Sequence, residues 1–86
     1  MIQKEITVKV EGGIEARQTA VFVQTACGYE SQIYLQYNDK RVNAKSIMGM
    51  LSLGITRGSL VTLFVEGSDE EEAARVLEEY LSGKAE

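Results

Sequence analysis

The side chains in this chain that could do chemistry are few, and they are scattered. Ser46 sits in Asn43-Ala44-Lys45-Ser46-Ile47-Met48-Gly49, a hydroxyl with a cation beside it and an apolar run behind it. Glu15 stands two residues before Arg17, near the start of a helical pattern. Asp69 to Glu72 form a carboxylate run, and Cys27 is the one thiol. The chain has no histidine. That absence removes the usual general base, the commonest metal ligand and any phosphohistidine chemistry. What remains is a hydroxyl that can cap a helix or accept a phosphoryl group, and carboxylates that can stabilise a helix end or bind a cation.

Ser46 precedes an apolar-rich run, the place where a helix N-cap belongs. At about 100° per residue, Ile47, Met50 and Leu53 share one stripe, and Met48 falls nearly opposite Met50. So short a helix cannot bury every apolar side chain against one sheet. Either the helix is wrapped on both sides, or Met48 and Leu51 face water beside the Ser46 hydroxyl, with Ile47 shared between core and surface. An exposed apolar patch of that kind marks a docking surface.

The rest of the chain supplies the elements that must hold this patch. Residues Ile2 to Val10 alternate apolar and polar, Lys4 excepted, and predict a strand with one buried face. Ala16, Ala20, Val23 and Cys27 fall on one helical stripe that Gly28 ends, which predicts a buried, inert Cys27. Ile33, Leu35 and Tyr37 alternate with polar neighbours, Asn38-Asp39 supplies a turn, and Arg41-Val42 is a short return strand. Leu60 to Val65 is the most apolar strand and is expected at the centre of the sheet. Ser68-Asp69-Glu70-Glu71 reads as a capping box before a helix that buries Ala73, Ala74, Leu77, Tyr80 and Leu81. Acidic residues in its first turn are favoured by the helix dipole, so solvated charges account for the Asp69–Glu72 run better than a metal site does. The order is βαββαβα, an α+β arrangement with helices on one face of an antiparallel sheet.

The totals agree. The 86 residues suffice for one small domain over positions 1–86, and 44% hydrophobic with 26% charged residues is the composition of a globular protein. A net charge of −4 argues against a general nucleic-acid binder and against an anionic membrane surface. No apolar run approaches the roughly 20 residues that span a bilayer. The single cysteine excludes an internal disulfide and fits a reducing, cytoplasmic setting.

This order, together with Gly13-Ile14-Glu15-Ala16-Arg17, Phe22-Val23-Gln24, the block from Asn43 to Gly49 and Ser52-Leu53-Gly54, resembles the HPr family. These are the small phosphocarriers of the bacterial sugar phosphotransferase system. The resemblance implies an open-faced β-sandwich of four antiparallel strands, ordered 1-4-2-3, under three helices. It also implies two phosphorylation sites. One is a histidine just before the Ala-Arg pair. Glu15 takes that position here and Gln18 replaces the usual proline, so phosphocarrier activity is not expected. The other is the serine of the Lys-Ser-Ile-Met-Gly block, which matches Ser46. In Gram-positive bacteria a dedicated HPr kinase/phosphorylase modifies that serine, and the product is corepressor for a LacI-type catabolite control repressor.

The resemblance thus points to a non-enzymatic regulatory protein without a cofactor, phosphorylated on Ser46. Its partner surface would be Arg17, Lys45, Ser46, Ile47, Met48 and Leu51, with contact to DNA left to the repressor. Two other readings stay open: phosphoryl transfer through the Glu15 carboxylate, and an interaction module in which Ser46 is only a cap. Glu15 itself reads as a dipole-stabilising acid, as a fixed substitute for phosphohistidine charge, or as an acyl-phosphate acceptor. If the chain forms a homodimer, the first strand or the apolar patch is expected to mediate it, with Glu11-Gly12-Gly13 flexible enough to act as a hinge.

Overall fold

A computed structural model of the chain describes residues 1–10 and 16–83, with the side chain of Ala16 left out. Glu15, Ile14 and the Glu11-Gly12-Gly13 segment expected to act as a hinge lie outside the described residues. The elements are β1 (Ile2–Thr7), α1 (Ala16–Cys27), β2 (Gln32–Tyr37), β3 (Lys40–Asn43), α2 (Ile47–Leu51), β4 (Leu60–Glu66) and α3 (Glu70–Leu81). The strands form one antiparallel sheet in the order β1-β4-β2-β3. Fold class and strand order are those expected.

Alternation decides which face of the sheet is covered. Ile6, Val8, Ile33, Leu35, Val61, Leu63 and Val65 are buried, while their neighbours on each strand are exposed or half-buried. The helices lie over that apolar face, where α1 contributes Phe22, Val23 and Ala26, and α3 contributes Ala73, Ala74, Leu77 and Leu81. Full burial of a Val or Leu side chain is worth about 1.5–3 kcal/mol. The three buried residues of central β4 are therefore a large share of what holds the fold.

Lys4 breaks the alternation of β1 for a reason now visible. Its ammonium donates to the Glu78 carboxylate of α3 at 2.8 Å, so the cation closes the edge of the core instead of entering it. The strand stops at Thr7, short of Val10. The chain before Leu60 still pairs with Val8, whose N–H donates to the Ser59 carbonyl and whose carbonyl accepts Gly58 N–H, and only at Lys9 does the N–H turn to another partner, the Leu81 carbonyl. Val8 and Val10 stay buried all the same.

Two expectations are corrected. Helix α1 is rotated from the predicted stripe: Thr19, Phe22, Val23 and Ala26 face the core, while Ala20 and Cys27 are exposed. Phe22 buries far more apolar surface than an alanine or a cysteine, so its position sets the register. Before α3, no capping box joins Ser68 and Glu71. Asp69 occupies the N-cap position without capping. Its carboxylate accepts Glu30 N–H at 2.8 Å, Ser31 N–H at 3.0 Å and the hydroxyl of the fully buried Ser31. The Ser31 hydroxyl first, and then the Glu30 amide, hold the Asp69 carboxyl below its ordinary range. The Ser68 hydroxyl donates to Glu30, and Glu70 accepts from Gly67 N–H. The start of α3 is thereby clamped to the α1–β2 loop. Only glycine fits at 67, where a Cβ would lie 2.6 Å from the Ser31 Cα.

Candidate functional site

Four residues bring the chain from β3 into α2, and each is tied down. Asn43 Oδ1 accepts Lys45 N–H at 2.8 Å, and the Asn43 carbonyl accepts Ser46 N–H at 3.0 Å. Ala44 is fully buried, with its N–H on the Ile33 carbonyl. The Lys45 ammonium donates to the Tyr29 carbonyl at 2.7 Å, which ties this turn to the loop after α1. Ser46 then adopts the extended conformation of an N-cap, and its hydroxyl oxygen accepts Gly49 N–H at 3.1 Å. A Cβ at Gly49 would come 3.3 Å from both the Ser46 Oγ and the Val42 Cβ, so glycine keeps that approach open.

The helix presents two unlike faces. Met50 and Leu53 are buried, whereas Met48 is 78% exposed, Ile47 47% and Leu51 39%. This is the division that the spacing predicts. The Ser46 hydroxyl is also exposed, so a nucleophilic oxygen and an apolar patch share one surface.

Arg17 belongs to the exposed side of α1. Spacings of three and four residues put Arg17, Ala20, Gln24 and Cys27 on one stripe. The Cys27 thiol lies 4.0 Å from the Lys45 carbonyl oxygen, so this stripe borders the start of α2. Ten residues separate Arg17 from Cys27, about 15 Å along the helix axis. Arg17 and Lys45 therefore stand apart and do not form one cation cluster. Val21, 45% exposed, is a further apolar member of the same outward side, one that the predicted stripe of α1 does not include. The signal for it was Phe22: with Phe22 in the core, Val21 must point outward. Glu15 lies outside the described residues.

A family model described as "PTS HPr component phosphorylation site" matches residues 2–82. The chain belongs to the HPr family. It is 48% identical over 77 residues to the HPr-like protein Crh of Halalkalibacterium halodurans, covering 90% of this chain and 92% of that one. The crystal structure of an HPr from Thermoanaerobacter tengcongensis superposes with a TM-score of 0.92 at 46% identity, covering 98% of this chain and 94% of that one. The crystal structure of Crh from Bacillus subtilis, described as a domain-swapped dimer, superposes with a TM-score of 0.79 at 42% identity, covering 98% of this chain and 97% of that one. Among the described residues no helix is long and apolar enough to cross a membrane.

Proposed function

We propose that this chain is a regulatory HPr-like protein of carbon catabolite repression, a single cytoplasmic domain that is not an enzyme. HPr kinase/phosphorylase phosphorylates Ser46. The product binds a LacI-type repressor as corepressor, through Arg17, Ile47, Met48 and Leu51. The observation that carries this reading is the exposed Ser46 hydroxyl beside Met48, a large apolar side chain left in water. Its likeness to Crh supports the same reading.

A phosphate on Ser46 adds nearly two negative charges and three acceptor oxygens. It enters at a helix start, where negative charge is favoured, so the fold keeps its shape while the surface changes. Lys45 serves chiefly to hold the turn, since its ammonium is already bound to Tyr29 O. Arg17 is the cation left to pair with the partner. Phosphocarrier activity is not part of the reading, because Glu15 offers no nitrogen nucleophile. Self-association by exchange of the first strand, as a domain swap like that of the Bacillus subtilis relative, is compatible with it.

The test is incubation with HPr kinase/phosphorylase and ATP, peptide mapping, and titration of the product against the repressor. Phosphate on Ser46 and tighter binding of the modified protein are expected. A chain that the kinase leaves unlabelled, or whose phosphorylation leaves repressor affinity unchanged, refutes the proposal. A hydroxylamine-sensitive phosphate on Glu15 would favour the phosphoryl-transfer reading instead.

A further inference from the structure

The chain has three methionines, and they sit in three different settings. Met50 is part of the buried core. Met1 is exposed but precedes β1, at the edge of the sheet opposite β3 and so away from the helix that β3 leads into. Met48 is exposed in α2, two residues after Ser46 and in the same patch as Ile47 and Leu51. Packing gives no account of a large thioether at 48, because most of that side chain stays in water. Exposure has a chemical consequence at a sulfur, since a thioether within reach of solvent reacts with hydrogen peroxide. A sulfur lone pair attacks one peroxide oxygen, the S–O bond forms as the O–O bond breaks, and the other oxygen leaves as water with both protons. The sulfur gives up two electrons and the peroxide is reduced. Met50 is shut off from that reaction until the protein unfolds.

Given the docking role proposed for Met48, we infer that this residue is an oxidative modification site: peroxide converts it to the sulfoxide in the folded protein, and the chain phosphorylated on Ser46 then loses its partner. The reason lies in what surrounds the new oxygen. In the free chain the sulfoxide stays hydrated, so the fold is not weakened. A partner that closes over Met48 also closes over Ile47 and Leu51, whose side chains have no donor to offer. The oxygen is then buried without a hydrogen bond, or the side chain is turned out of the interface. Either way an apolar anchor is lost. Ser46 and Met48 thus carry opposed signals on one surface: phosphate adds the charge that the partner reads, and the sulfoxide withdraws the apolar contact. The second signal is reversible, because methionine sulfoxide reductases restore the thioether. The oxygen leaves as water and two thiols of the reductant close to a disulfide. A leucine at 48 would give the same kind of apolar contact with nothing to oxidise.

The test uses the chain with Cys27→Ser, which removes the exposed thiol as a second oxidisable group. Phosphorylated on Ser46, it is treated with hydrogen peroxide, peptide-mapped by mass, and titrated calorimetrically against the LacI-type repressor. Met48 should form the sulfoxide at the rate of N-acetylmethionine amide in the same mixture, and Met50 should stay a thioether while the protein is folded. The oxidised chain should keep its melting temperature and bind about tenfold or more weakly. Methionine sulfoxide reductase with dithiothreitol should restore the affinity. Whatever affinity Met48→Leu starts from, the same peroxide treatment should leave it unchanged. A Met48 that resists peroxide as Met50 does overturns the inference. So does a sulfoxide that binds as well as the thioether, or a peroxide effect that persists in Met48→Leu. Failure of the unoxidised phosphoprotein to bind the repressor is a different result, and it removes the proposed function and this role together.

Discussion

Met48 and Met50 lie two residues apart in the same short helix, and truncating each to alanine tests the site from two sides. Met48 is 78% exposed and Met50 only 1%. About a fifth of a full burial, itself worth about 1.5–3 kcal/mol, puts Met48→Ala at about 0.3–0.6 kcal/mol. Met50→Ala removes a buried side chain from a packed core and should cost about 2–5 kcal/mol. In a domain of this size 1 kcal/mol moves the melting temperature by about 4–8 °C. Differential scanning calorimetry should therefore show a loss of about 1–5 °C for Met48→Ala and about 10 °C or more for Met50→Ala. Repressor affinity should rank the other way for Met48. With Ser46 phosphorylated, calorimetric titration should show Met48→Ala weakening the complex by about 1–2 kcal/mol, as for an apolar anchor in an interface. A melting temperature for Met48→Ala that falls as far as that of Met50→Ala would place the residue in the core. An unchanged affinity would remove it from the interface. Either result ends the docking-patch argument.

Three further outcomes are expected. Ser46→Ala should cost about 1 kcal/mol in urea unfolding, and Ser46→Asp only a few tenths, because aspartate also caps; aspartate should still mimic the phosphorylated protein poorly in repressor binding. Asp69→Asn should lower the melting temperature and flatten the acid side of the stability curve. The folded-state Asp69 carboxyl titrates below its ordinary value of 3.8, so its contribution is complete above that pH and is lost as pH falls through the lowered folded value. Urea unfolding between about pH 2 and 6 reads this directly, and a curve for Asp69→Asn as steep as the parent's would count against the clamp. The exposed Cys27 thiol should react with a thiol reagent in the folded protein, and a reaction that waits for unfolding would restore the buried reading.

The sequence by itself determined the elements whose patterns are local. Alternation marked β2, because a period of two admits only one buried face, and the apolar run from Leu60 to Val65 marked β4 as a central strand. The Ser46 cap and the opposition of Met48 to Met50 followed from helix geometry within one turn, and the structure keeps both. Helix α1 was less legible. Alanines and valines at several offsets allow two overlapping stripes, and Phe22 chooses between them only when a sheet is present to receive it. The tie from Lys45 to Tyr29, the Asp69 clamp on Ser31 and the Lys4 bridge to Glu78 join residues 16, 38 and 74 positions apart. Bonds of that range leave no period in a sequence, since they depend on which loops the packed sheet brings together. The contact of the Arg41 guanidinium with the rings of Tyr34 and Phe64 has the same origin. Three side chains from three strands meet there because the order β1-β4-β2-β3 sets β4 beside β2 and β2 beside β3, and only the folded sheet decides that.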